Sequence, residues 1–201
     1  MSAREHLKEE IISKAVVHGK VILSSGKEAD YYVDLRRVTL DSVAAPLVGQ
    51  VMFDLTKDLD YEAVGGLTLG ADPVATAMMH VAAQPGKKID WFVVRKAEKD
   101  HGLQRRIEGP DVVGKRVLAV EDTSTTGGSV LTAVEALKEA GAIVVGVAVI
   151  VERGAEPKIK EAGLEYRAAF QLKDLGLWQV ALGAPLFNYF YNYWNQTNQN
   201  N

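Results

Sequence analysis

The sequence predicts an α/β fold, with a central and mostly parallel sheet flanked by helices and a small N-terminal flap. Three observations lead there. From Tyr61 onward, short apolar runs of strand length alternate with helical patterns. The run Val117-Leu118-Ala119-Val120 is continuously apolar, as expected of a parallel strand buried on both faces. Behind it come two acids, seven small or hydroxyl residues and an amphipathic helical pattern, an order typical of the phosphate-binding end of such sheets.

Taken in order, Ser2 and Glu5 have capping-box spacing, and Leu7, Ile11, Ile12, Ala15 and Val16 supply one apolar helical face, ended by His18 and Gly19. The segment 19–37 then sets β-like runs, Val21-Ile22-Leu23 and Tyr31-Tyr32-Val33, around the turn-like Ser24-Ser25-Gly26-Lys27. This reads as an antiparallel flap. A second helix starts after Asp41, runs through Val48, Val51, Met52 and Leu55, and stops before Asp60; its apolar face is core. Strands follow at 62–67, 89–94, 115–120 and 143–151, with helices at 73–83 and 128–140. A short helix near 156–162 and a strand near 165–170 complete the sheet. Ligands of such sheets sit outside the carboxyl ends of the strands, here Thr68 to Asp72, Arg95 onward, Glu121 onward and Glu152-Arg153.

Composition bounds the function. A chain of 201 residues with 47% hydrophobic content suits one domain with a sizeable core. The absence of cysteine excludes disulfides, thiolate zinc sites and a cysteine nucleophile, and fits a reducing cytoplasm. The charged start, Met1 to Glu10, lacks a signal segment, and no run of 18 apolar residues suggests a membrane span. A net charge of −3 gives no general pull toward nucleic acid or anionic membrane, so an anion site must be local.

The stretch Val117 to Ser129 is that site. Amides freed at a helix start near Gly127 or Gly128, with the hydroxyls of Thr123, Ser124, Thr125, Thr126 and Ser129, form a cradle for one phosphate dianion. The two glycines let the main chain approach it. Glu121 and Asp122 would repel a phosphate, so they face something neutral or positive, such as a sugar diol or a metal ion. A ribose phosphate satisfies both halves. A dinucleotide loop would need G-x-G-x-x-G and a Walker loop G-x-x-x-x-G-K-[ST]; Gly65 to Gly70 has the Walker spacing but continues with Ala71.

Glu121 to Ser129 behind its apolar strand resembles the phosphoribosyl pyrophosphate signature of type I phosphoribosyltransferases, and the whole of about residues 3–177 is most similar to the orotate phosphoribosyltransferases. The resemblance implies one phosphoribosyltransferase domain over 1–177, with the flap as a hood and a mobile loop over about 96–113. It implies that Glu121 and Asp122 hold ribose hydroxyls, and that Thr123, Ser124, Thr125, Thr126, Gly127, Gly128 and Ser129 hold the 5-phosphate. Arg95-Lys96-Ala97-Glu98-Lys99-Asp100-His101-Gly102 resembles the family's mobile catalytic loop. Arg95, Lys96, Lys99 and His101 are thereby implied to bind phosphoribosyl pyrophosphate, with Lys99 and His101 as catalytic residues. Cations closing over departing pyrophosphate would stabilise the transition state more than the ground state. His6, His18 and His80 lack such neighbours, and no H-E-x-x-H pair suggests zinc.

Two further strand ends narrow the chemistry. Gly66 to Pro73 is by itself equally a tight turn; in the resembled family it is the pyrophosphate loop, where many orotate-using members carry a lysine and this chain has Gly70. Arg153 is by itself equally a surface ion pair, but a planar guanidinium suits the carboxylate that distinguishes orotate from uracil. The resemblance implies that Thr125 and Arg153 contact orotate and that Tyr31-Tyr32-Val33 covers the pyrimidine. Ser24 stands where several members have lysine; Lys27 is the nearby substitute. Also implied are magnesium, bound mainly through the donor, and a homodimer sharing the mobile loop across its interface, with neither nucleic acid nor membrane as partner.

The resemblance ends at Leu177. The remainder, 178–201, holds seven of the chain's 15 aromatics, ends in Asn and Gln, and matches nothing in the family; exposed, it would be aggregation-prone. Two other functions compete with an orotate-using enzyme. Arg153 and the 95–102 pattern argue against a purine-using transferase. Lys99, His101 and the lack of a basic or helix-turn-helix pattern argue against a non-catalytic, nucleic-acid-binding sensor of the same fold.

Overall fold

The structure, a computed structural model, describes residues 1–22, 28–96 and 106–177. Helix α1, Ala3–Glu10, opens on the expected capping box: Ser2 Oγ accepts from the Glu5 amide, and the Glu5 carboxylate accepts from the Ser2 amide at 2.9 Å. It continues as a π-helical turn, Ile11–Ala15, and ends there. Val16, His18 and Gly19, expected to finish the helix, lie instead in strand β1, Val16–Ile22. The reason is pairing: β1 runs antiparallel to β2, Glu28–Val33, with Val16 opposite Val33 and His18 opposite Tyr31. Stiff Val16 and Val17 suit that ladder better than another helical turn. Ile12, assigned to the apolar face, is 42% exposed, because the wider turn leaves Ile11 and Ala15 as the buried pair.

One turn of helix α2, Arg36–Thr39, leads to α3, Ala44–Thr56, which starts after Asp41 as expected. Its cause is visible: the Asp41 carboxylate accepts from the Val43 and Ala44 amides at 2.9 Å each. Helices α4, Ala71–Ala83, α5, Gly128–Glu139, and α6, Glu156–Glu161, then alternate with the strands of the main sheet.

That sheet comprises β3, Ala63–Leu67; β4, Asp90–Val94; β5, Ile107–Glu108; β6, Arg116–Ser124; β7, Ile143–Glu152; and β8, Tyr166–Gln171. Their spatial order is β5-β4-β3-β6-β7-β8, parallel except for β5 against β4. Two details differ from expectation. Strand β5 lies inside the long gap after Arg95, too short to carry a readable pattern; Ile107 pairs with Val94 and Glu108 with Val93. Strand β6 outruns its apolar stretch, because Glu121, Thr123 and Ser124 keep their ladder with Val149, Val151 and Glu152. A polar side chain does not stop a strand whose neighbour still offers backbone partners.

Alternate residues of β6 serve two cores. Leu118 and Val120 pack with Met52, Val74 and Met78 on one face, and Val117 and Ala119 with Val134, Leu137 and Ile159 on the other. Leu118 is fully buried, and truncating such a leucine to alanine typically costs ~2–5 kcal/mol. The chain leaves β3 for β4 on one side and returns to β6 on the other. The carboxyl ends of β3 and β6 therefore flank a topological switch point, where such sheets open a crevice. Among the described residues, no helix is long and apolar enough to cross a membrane.

Candidate active site

The floor of the crevice is the end of β6. Glu121 is only 6% exposed, and burial, followed by the charge of Asp122, pushes its carboxyl up to about 8. Burial also raises Asp122, with the Thr123 amide and the Arg36 charge opposing. Both acids are tied to backbone: Glu121 Oε1 accepts from the Asp122 amide at 3.3 Å, and Asp122 Oδ1 from the Thr123 amide at 2.7 Å. Thr123 Oγ1 donates to the Val151 carbonyl at 3.2 Å, fixing the strand end to β7. Glu121 is buried and Asp122 half-buried, with no cation bonded to either among the described residues, and such a pair calls for hydroxyl donors or a metal-bearing ligand.

Beyond the acids the chain turns into α5 through Gly127, whose φ of 73° favours glycine. Ser124 is buried, whereas Thr125, Thr126 and Ser129 are exposed around the helix start. A twelve-residue helix thus presents its N-terminal amides, ringed by hydroxyls, next to two carboxylates.

The opposite wall comes from β3. Thr68 Oγ1 donates to Asp72 Oδ2 at 2.6 Å, while Asp72 Oδ1 is buried with no hydrogen-bond partner among the described residues. Burial raises the Asp72 carboxyl. Gly70 lies so close to the acids that a β-carbon there would stand 2.1 Å from Glu121 Oε1. Between the walls is a cleft of about 280 Å³, roofed by Tyr32 to Arg36 of the hood and bordered by Leu67 to Gly70, Lys96, Glu121 to Thr123 and Ser129.

Arg153 stands at the end of β7, its amide donating to the Ser124 carbonyl at 3.0 Å. The preceding Glu152, 8% exposed, accepts from the Gly154 amide, from the Glu156 amide at 3.2 Å and from the Tyr166 hydroxyl. Burial, then the bond to Glu152, raises the Tyr166 phenol strongly. The turn that carries Arg153 is thus held by one buried carboxylate. From the hood, Tyr31 approaches: burial raises its phenol, and the charge of Arg153 opposes that rise.

The structure therefore brings Glu121, Asp122, Thr123, Ser129 and Lys96 to one cleft. Ser124, Thr125, Thr126, Gly127 and Gly128 form the loop beside it, and Arg153 borders the hood at Tyr31. Arg95 does not line the cleft; its Nη1 is 3.5 Å from Glu108 Oε1 of β5, a strand that sequence reading had missed. Lys99 and His101 lie outside the described residues, as do Ser24, Lys27 and the stretch 178–201. Asp34 and Arg36 line the cleft without having been foreseen, although an acid and an arginine directly after the Tyr31-Tyr32-Val33 run were a readable signal. Tyr166 and the buried role of Glu152 carried no such signal.

A family model for the phosphoribosyl transferase domain matches residues 63–168. The orotate phosphoribosyltransferase of Streptomyces avermitilis is 68% identical over 177 residues, covering 87% of this chain and 97% of that protein. The crystal structure of Mycobacterium tuberculosis H37Rv orotate phosphoribosyltransferase in complex with Fe(III) dicitrate is similar at a TM-score of 0.80 and 58% identity, over 88% of this chain and 100% of that one. The same enzyme in complex with 5-phospho-alpha-D-ribosyl 1-diphosphate is similar at a TM-score of 0.77 and 53% identity, again over 88% and 100% of the two chains.

Proposed function

The chain belongs to the phosphoribosyltransferase family, on its orotate-using branch, and from that premise we propose that the cleft holds phosphoribosyl pyrophosphate while orotate lies between Tyr31 and Arg153. The reaction joins a ring nitrogen of orotate to C1 of the ribose and breaks the bond from C1 to the diphosphate oxygen, the proton of that ring nitrogen being released with pyrophosphate. Its products are orotidine 5′-phosphate, a precursor of UMP in pyrimidine biosynthesis, and pyrophosphate. The observation that carries the reading is the pair of buried Glu121 and half-buried Asp122 directly before a helix start ringed by hydroxyls.

Each part has a task. The 5-phosphate sits on the amides and hydroxyls of 123–129, where dipole and donors converge. Ribose hydroxyls donate to the acids, which hold C1 toward the acceptor; such positioning, with electrostatics, dominates a displacement that has no covalent intermediate. Arg153 pairs its planar fork with the orotate carboxylate, and Thr125 stands beside it. Lys96, Lys99 and His101 supply cations to the diphosphate as it leaves, in a homodimer whose loop reaches the neighbouring site. Glu121 and Asp122 also fit a magnesium ion carried on the donor: they are acids beside the cleft whose raised carboxyls a cation would relieve. Magnesium, when bound, neutralises diphosphate charge. The setting proposed is the cytoplasm, where both charged substrates are water-borne.

Titration calorimetry of donor with magnesium tests the acid pair. Asp122→Asn removes negative charge beside a polyanion, so simple electrostatics favours tighter binding. The diol or metal role requires weaker binding instead. Tighter binding by the asparagine variant would remove that role.

A further inference from the structure

We propose that Arg36 of the hood binds the diphosphate arm of the donor. The proposal rests on reading the cleft as the donor site. Arg36 opens α2 immediately behind the hood strand β2 and lines the cleft. Its Nε donates to Asp34 Oδ1 at 2.8 Å, and its amide reaches the same oxygen at 3.3 Å. One edge of the guanidinium is thereby anchored, while the side chain keeps half its surface exposed. Among the described residues its two terminal nitrogens have no hydrogen-bond partner, so a planar pair of donors is left for a ligand.

Position decides which part of the ligand it meets. The cleft that Arg36 lines is bordered by Thr68, Leu69, Gly70 and Lys96, whereas Thr125 and Arg153 do not line it. Arg36 therefore shares the cleft with the β3 wall and Lys96, while Tyr32 and Val33 of the hood line it as well. Its charge also reaches Asp122, whose ionisation it favours. On the β3 wall, position 70 is glycine and carries no side-chain cation, and the Glu121 carboxylate lies 2.1 Å from where a β-carbon would stand. That wall offers the diphosphate main chain only at this position. Among the described residues, Arg36 and Lys96 are the cations bordering the cleft, and Arg36 is the one fixed in place by a carboxylate. Charge-assisted bonds from an anchored guanidinium to phosphate oxygens are worth about ten- to a hundredfold in affinity.

The test is steady-state kinetics in both directions with Arg36→Ala and Arg36→Lys, together with circular dichroism and donor calorimetry. Arg36→Ala is expected to raise the constants for phosphoribosyl pyrophosphate and for pyrophosphate by about ten- to a hundredfold. Those for orotate and orotidine 5′-phosphate are expected to stay within about twofold, and Arg36→Lys to recover part of the loss. A folded alanine variant with unchanged pyrophosphate constants, or one in which the orotate constant alone rises, overturns the proposal. If Arg36→Ala fails to fold, a folded Arg36→Lys with unaltered pyrophosphate constants overturns it equally. Wild-type protein that fails to bind the donor would instead sink the donor-site reading itself.

Discussion

Gly70 and Glu121 meet at the switch point of the sheet, so close that a β-carbon on residue 70 would stand 2.1 Å from Glu121 Oε1 and 2.9 Å from Asp122 Oδ1. The loop after β3 and the acid pair are therefore one packed unit. Gly70→Ala must move the Glu121 carboxylate, the movable end of its side chain, so the stability cost falls at the low end of the ~1–3 kcal/mol typical of overpacking. Donor affinity is expected to fall at least tenfold, with orotate affinity unchanged. Thermal melts and calorimetry on the one variant check both; unaltered donor binding would separate the loop from the acids.

The acid pair also makes stability depend on pH. Glu121 is raised from 4.5 to about 8, so between those values the folded chain binds a proton that the unfolded chain has released. Stability consequently falls as pH rises through that window, and the stabilisation is gone above the folded value. Glu121→Gln is expected to melt higher than wild type at about pH 8.5 and nearly level with it at about pH 5, each kcal/mol gained being ~2–4 °C for a chain of this size. The same variant should bind donor more weakly. Melting curves at the two pH values decide; no gain at the higher pH would mean that Glu121 is ionised at little cost.

The sheet was legible because buried strands must be apolar on both faces, as Val117 to Val120 are, and because helix starts need caps, as Ser2 and Asp41 provide. What escaped was set by partners distant in sequence. Val16 and His18 became strand because residues 31 and 33 pair with them, and Glu108 became strand because Val93 does. The loop 123–129 and the acids before it stood out in the sequence because they are contiguous. Arg36 follows the readable Tyr31-Tyr32-Val33 run, but its meeting with Asp122 at one cleft depends on how the hood folds back over the sheet. The support of Arg153 by Tyr166 likewise depends on neighbouring strands meeting at β7.

That support is testable. Tyr166→Phe removes one donor from the buried Glu152 carboxylate that holds the turn at Gly154 and Glu156, a loss of ~1 kcal/mol or more. The orotate constant should rise a few-fold and the donor constant stay level. Arg153→Ala should raise the orotate constant about ten- to a hundredfold, with lysine restoring only part. An unchanged orotate constant beside a weakened donor constant would move Arg153 to the phosphate side.

Lys99→Ala and His101→Ala are each expected to lower turnover by ~10²–10³ while leaving stability nearly unchanged, as for loss of one preorganised transition-state donor. Mixing a Lys99→Ala chain with an Asp122→Asn chain should restore some activity through hybrid dimers. No recovery after confirmed subunit exchange would count against a shared site.

The most direct measurement is consumption of the acceptor base by the wild-type chain with phosphoribosyl pyrophosphate, offered orotate, uracil, hypoxanthine or xanthine, with and without magnesium. Orotate alone should be consumed, with magnesium required and pyrophosphate released in equal amount. Consumption of a purine, or of uracil as fast as orotate, would contradict the assignment of Arg153 and Tyr31 to the orotate site.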